Sequence, residues 1–155
     1  MDPHSTPPVA GGNMPISVVI ADDHTLFAEA LALALRGDPR FDVVGLAENG
    51  REAVDLASSL RPDVVLMDLH MPVMDGVEAT RRLRLASPRS RVVVVTASTS
   101  PEDGVRARAA GACAYIRKWA SSEDLREAVV EATAARVPFR NPWTTGMNRA
   151  MLRSA

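Results

Sequence analysis

A chain of 155 residues with a formal net charge of −1 has room for one domain with a substantial core, and no overall field draws it to nucleic acid or an acidic membrane. Its composition, 46% hydrophobic and 24% charged, is that of an ordinary soluble globular protein. Cys113 is the single cysteine, which excludes an intrachain disulfide or multi-cysteine metal site and fits a reducing cytoplasm.

Residues 1–15 carry four prolines and a Gly-Gly pair without hydrophobic periodicity and read as a disordered tail, lacking the basic start and apolar stretch of a signal peptide. From Ile16 the pattern changes. "ISVVIA" (16–21) reads as a strand, and the Leu/Phe/Ala spacing of "TLFAEALALALRG" predicts a helix that stops at Gly37. "DVVGLA" (42–47) is a second strand and "GREAVDLASSL" (50–60) a second helix. A third strand, "DVVLMD" (63–68), leads through a loop to a helix from about Val77 to Ala86, and "RVVVVT" (91–96) is a fourth strand. Pro101, following Ser100, suits the first position of a short helix closed by Gly111. "CAYIR" (113–117) is a fifth strand, and Ser121 with Asp124 resembles a capping box that opens the last helix. Residues 137–155, which hold two prolines, a tryptophan and three arginines, read as a tail or linker. The longest apolar runs are far too short to span a bilayer.

Five strands alternating with five helices imply an α/β domain with a parallel sheet covered on both faces. In such sheets ligands bind beyond the carboxyl ends of the strands. Those ends deliver Asp22 and Asp23 after the first strand, Asp68 at the end of the third, Thr96 at the end of the fourth, and Lys118 just past the fifth. Lys118 is the only lysine among 18 lysines and arginines. Taken singly, each has a plainer reading: an Asp-Asp pair caps helices, Asp68 starts a turn, and Thr96 is at home in a β-rich run. Their common placement favours a site. Three carboxylates against one ammonium leave a negative crevice that suits a divalent cation. Oxygen donors without a Cys or His cluster favour Mg²⁺. No Walker-type or dinucleotide-binding glycine motif is present, and phosphoryl transfer to an aspartate fits the set.

"VVIADDH", "PDVVLMDLHMPVMDG", "VVVVTAS" and "AYIRK", in this order, resemble the receiver domain of two-component response regulators, most closely those of LuxR-type (NarL/FixJ-like) transcriptional regulators. The resemblance covers about Ile16 to Arg136. It implies a flavodoxin-like, doubly wound (βα)5 fold, a three-layer sandwich with parallel sheet order 2-1-3-4-5. It implies Asp68 as phosphoacceptor, Asp22 and Asp23 as Mg²⁺ ligands together with Asp68 and the backbone carbonyl of His70, and Thr96 and Tyr115 as switch residues. Lys118 is then the cation that pairs with Asp68 and follows the phosphoryl group. The implied partner is a sensor histidine kinase, and the implied homodimer uses either the helix 4–strand 5–helix 5 face or helices 1 and 5. Nineteen residues follow Arg136, too few for a DNA-binding output domain. DNA contact is therefore expected only from a domain beyond this chain. The chain itself is read as a phosphoacceptor rather than a turnover enzyme.

One departure stands out. Where such receivers carry a cis-proline after the lysine, this chain has Trp119. A cis bond before a non-proline costs roughly 2.5–4 kcal/mol, so a trans bond and an altered loop are expected. His70 has two readings, an exposed loop imidazole or a tuner of phosphorylation, and Tyr115 could serve plain core packing. Two rival classes are a phosphorylation-independent interaction module on the same fold and an aspartate-nucleophile phosphatase. The phosphatase would place D-x-D after its first strand, which this chain lacks.

Overall fold

The computed structural model describes residues 14–134. The tails read for 1–15 and 137–155 therefore lie outside the described residues, apart from Met14 and Pro15. In chain order the elements are β1 (Ile16–Ala21), α1 (Thr25–Arg36), β2 (Phe41–Ala47), α2 (Gly50–Leu60), β3 (Val64–Met67), α3 (Gly76–Ala86), β4 (Arg91–Thr96), α4 (Pro101–Ala110), β5 (Ala114–Arg117) and α5 (Ser122–Ala132). All strand pairings are parallel, in the order β2-β1-β3-β4-β5. The expected doubly wound fold is the one observed.

The central strands are apolar at nearly every position because both of their faces are covered. Val19, Val65, Met67, Val92 and Val94 share one core with Ala53 and Ala57 of α2, Val77 and Leu83 of α3, and Ala107 of α4. The alternate residues Val18, Ile20, Val64, Leu66 and Val93 turn to the other face, against Ala28, Ala32 and Leu35 of α1 and Leu125 and Val129 of α5. Alanines dominate the inner faces of α1 and α2, which lets those helices lie close to the sheet.

Element ends depart from the expectation by one residue at several places, each with a local cause. β3 stops short of Asp63, whose carboxylate accepts from the Ser17 backbone N–H and hydroxyl, and of Asp68, which keeps only its N–H bond to the Ala21 carbonyl of β1. α3 begins at Gly76 because Asp75 caps it, accepting from Glu78 N at 2.8 Å. The Ser121 cap forms as expected, its hydroxyl accepting from Asp124 N at 3.1 Å.

The loop between β3 and α3 holds one strained residue. Val73 has φ 69°, and Met74 N donates across it to the Pro72 carbonyl at 2.7 Å, closing a three-residue turn. A β-branched residue in this region costs on the order of 1 kcal/mol or more. Its side chain lies in solvent and offsets little of that. Val73→Gly is therefore expected to raise unfolding stability by about 1 kcal/mol, measured by urea denaturation.

Candidate functional site

The register of the sheet brings the strand ends together. Ala21 pairs with Met67 across β1 and β3, so the next residues, Asp22 and Asp68, emerge side by side. Both stay tied to the sheet: Asp68 N donates to the Ala21 carbonyl at 2.9 Å, and Asp22 N to the Ala47 carbonyl at 3.0 Å. β1 is the strand at which the order reverses, because β2 lies on one side of it and β3 on the other, so the crevice opens at the topological switch point. On the far side Thr96 pairs with Arg117, and Lys118 N donates to the Thr96 carbonyl at 3.0 Å.

Lys118 reaches the carboxylates across the crevice. Its Nζ lies 2.8 Å from Asp22 Oδ2 and 3.3 Å from Asp68 Oδ2. The lysine thus bridges both acids and sits nearer Asp22, where the resemblance implied a pairing with Asp68. No cis peptide bond occurs among the described residues, so the Lys118–Trp119 bond is trans as expected. The turn closes through Ala120 N donating to the Arg117 carbonyl, and the ammonium still enters the crevice. Trp119 stays 59% exposed, with the Arg117 guanidinium 5.0 Å from its ring centroid, so it does not cap the core. The Lys118 ammonium also lies 4.7 Å from the Phe27 ring centroid, a cation–π contact from α1.

The electrostatics follow from burial and charge. Burial first, and the neighbouring Asp22 charge second, push the Asp68 carboxyl above its usual range; Lys118 offsets part of this. Burial works against the Lys118 charge, but Asp22 and Asp68 outweigh it and raise its pKa, so it remains an ammonium at neutral pH.

The other residues singled out take different surroundings. Asp23 is exposed at the rim of the crevice, whereas Asp22 and Asp68 are buried. The Asp-Asp pair is not the cap of α1: that position falls on His24, which makes no side-chain cap bond, while Asp22 accepts from His24 N at 2.8 Å. Thr96 is fully buried and its hydroxyl accepts from Ser98 N at 3.2 Å. The Tyr115 ring is buried in the α2–α3–α4 core, and its hydroxyl has no hydrogen-bond partner among the described residues. Ser98 lies close to this phenol, but its own hydroxyl donates to Asp103 Oδ2 at 2.5 Å. The His70 side chain turns from Asp68 to α4, with Nε2 3.2 Å from Asp103 Oδ2. Burial alone would push Asp103 up, but the bonds to Ser98 and His70 hold its carboxyl below the ordinary value.

His24, Phe27, Ser98 and Asp103 belong to this neighbourhood, and none was singled out from the sequence. His24 follows directly on the acidic pair, and that adjacency was the available signal. Asp103 gave none, since an acid in the first turn of a helix is the commonest of caps.

Gly76 fixes how closely α3 approaches the site. Its N–H donates to the Leu69 carbonyl at 2.8 Å, and a Cβ there would overlap the Asp68 backbone carbonyl. Gly76→Ala must therefore displace the backbone behind Asp68. The expected loss is about 1–3 kcal/mol of stability, measured by urea denaturation.

The donor set fits a hard divalent cation. Asp22, Asp23, His24 and Asp68 each offer an atom within 4.8 Å of one another, and the carboxylates outnumber the single ammonium. Fold and site together define a doubly wound α/β domain with an anionic crevice at its switch point. The sequence model of the response regulator receiver domain matches residues 18–130, and the chain belongs to that family. It is 38% identical over 120 residues to the nitrate/nitrite response regulator protein NarL of Escherichia coli (strain K12), covering 77% of this chain and 56% of that protein. It is 41% identical over 119 residues to a protein-glutamate methylesterase/protein-glutamine glutaminase of Anaeromyxobacter dehalogenans, covering 77% of this chain and 35% of that one. Among solved structures, the signal receiver domain of the putative response regulator NarL from Mycobacterium tuberculosis matches with a TM-score of 0.77 and 31% identity, over 80% of this chain and 100% of that one. The chain thus spans about a third to just over half of these two curated relatives. No helix among the described residues is long and apolar enough to cross a membrane.

Proposed function

We propose that this chain accepts a phosphoryl group on Asp68 from a phosphohistidine of a sensor kinase in the cytoplasm and passes the change to an output. The observation that carries this reading is the single ammonium of Lys118 set between two buried carboxylates at the switch point of the sheet. An Asp68 carboxylate oxygen attacks phosphorus, the bond from phosphorus to the histidine nitrogen breaks, and the imidazole leaves with a proton from solvent. Asp22, Asp23 and Asp68, with the His70 backbone carbonyl, would hold Mg²⁺, which when bound supplies charge neutralisation at the phosphoryl oxygens. Lys118 orients Asp68 and then pairs with the added negative charge. Thr96 turns its hydroxyl toward the same oxygens, and Tyr115, whose ring is already buried, is the aromatic partner of that shift. That differential contact shifts the α4–β5–α5 face between two states.

The output in this reading is transcription, through a DNA-binding domain outside this chain, as in the regulators it resembles. Homodimerisation uses the α4–β5–α5 face or α1 with α5. The reaction is one acceptance and one hydrolysis, not turnover of a separate substrate. The second reading is a phosphorylation-independent interaction module. The exposed Trp119, where receivers carry proline, favours it.

Incubation of the protein with Mg²⁺ and acetyl phosphate, or with sensor kinases, followed by intact-mass measurement separates these readings. The phosphoacceptor reading predicts gain of one phosphoryl group that disappears on chelation of the metal. No gain with any donor supports the interaction module, and repeated release of phosphate from an ester would mark a phosphatase.

A further inference from the structure

The imidazole of His24 belongs to the acidic crevice. Its Nδ1 lies 3.2 Å from Asp22 Oδ1, 3.3 Å from Asp23 Oδ1 and 3.3 Å from Lys118 Nζ. The backbone N–H of the same residue already donates to Asp22 Oδ1, which pins the ring beside that carboxylate. Donors that share a small divalent ion at bonds of about 2.0–2.1 Å stand roughly 3 Å apart, and the spacings from Nδ1 to the two oxygens are close to that. The ring is not needed elsewhere: it makes no cap bond to α1, and 70% of the side chain is exposed at the mouth of the crevice.

Donor chemistry then decides which ion is preferred. Carboxylates alone suit Mg²⁺, Ca²⁺ or Mn²⁺, whereas an imidazole adds affinity for later first-row ions and almost none for Mg²⁺. We infer that His24 makes this crevice a mixed nitrogen–oxygen site that takes a first-row transition cation such as Co²⁺ through the His24 ring, in addition to binding Mg²⁺ through the carboxylates. This rests on the reading of Asp22, Asp23 and Asp68 as a cation site and extends it to a fourth, nitrogen donor. His70 does not compete for this role, because its ring is directed to Asp103. Phe27 sits beyond Lys118 and offers no ligand atom, so it bears only on where the ammonium rests. Loading Asp22 with a cation would draw it away from Lys118, so the ring and the ammonium exchange places around one carboxylate.

The test is calorimetric titration of MgCl₂ and CoCl₂ into the full chain and into His24→Ala and Asp23→Asn variants, with the visible absorption of Co²⁺ followed in parallel. The expected result is that His24→Ala weakens Co²⁺ binding about tenfold or more, removes the nitrogen-ligand signature from its spectrum, and changes Mg²⁺ binding by less than about twofold. Asp23→Asn weakens both. Equal changes for the two ions, or no change, on His24→Ala overturn the role of the ring while leaving the carboxylate site standing. Absence of any binding sensitive to Asp23→Asn overturns the cation site itself and the ring's role with it.

Discussion

Asp68→Asn is expected to abolish phosphoryl uptake and, in the absence of divalent ions, to make the protein more stable. The first effect follows from removing the oxygen nucleophile while keeping its shape. The second follows from what surrounds it: Asp68 is buried beside Asp22, and both burial and that neighbouring charge raise its pKa in the folded state. A raised carboxyl holds its proton more tightly folded than unfolded, so its favourable contribution is present at acid pH. That contribution is lost as pH rises from the unfolded value, near 3.8, through the folded one. Above that window the ionised group opposes folding, and the neutral amide does not. Urea denaturation without metal is expected to show Asp68→Asn more stable than the parent by about 1 kcal/mol at neutral pH, with the gap closing at acid pH. A variant that is less stable at every pH would mean that the Lys118 contact outweighs the crowding.

Lys118→Met is expected to act in the opposite sense on stability and in the same sense on chemistry. The ammonium is largely buried, with 14% of its side chain exposed, and it bridges Asp22 and Asp68. Its removal leaves two buried carboxylates facing each other, which by comparison with broken buried ion pairs costs about 3 kcal/mol. The same loss of positive charge should tighten Mg²⁺ binding several-fold, and Mg²⁺ should restore much of the stability. Phosphoryl uptake should nevertheless fall at least about tenfold, because no side-chain cation remains to receive the incoming charge. Lys118→Arg tests the shape requirement. A guanidinium is a broad planar fork, and the bridge at 2.8 and 3.3 Å with Phe27 behind it is built around a compact ammonium. The arginine variant should keep much of the stability and recover little of the rate. Unchanged Mg²⁺ affinity in Lys118→Met would contradict competition between the ammonium and the ion for Asp22.

The alternation of strands and helices was legible because parallel strands buried on both faces must be apolar almost throughout, as in "VVIA" and "VVVV". Periodicity could not order those strands in space; the order came from resemblance, and residue pairs such as Ala21 with Met67 show how it joins Asp22 to Asp68. The residues at the strand ends were also legible, since each lies one or two positions past an apolar run. Their pairings were not. Whether Lys118 rests on Asp22 or Asp68 depends on the turn from Arg117 to Ala120 and on the Phe27 ring one helix away. The contact between His70 and Asp103 joins a loop to a helix 33 residues later, and no local pattern records it. The acidic motif beside it masks His24 in the sequence, although its ring nitrogen lies 3.2 and 3.3 Å from the two neighbouring carboxylates.

The Asp68 carboxylate, and no other acid of the crevice, is the group expected to be phosphorylated. The direct measurement is to treat the protein with Mg²⁺ and acetyl phosphate, reduce the product with borohydride, and locate the modified residue by peptide mass spectrometry. An acyl phosphate is reduced to the corresponding alcohol, so homoserine is expected at position 68 and unaltered aspartate at positions 22 and 23. Homoserine at 22 or 23, or no reduced residue in a protein that has bound Mg²⁺, would contradict it.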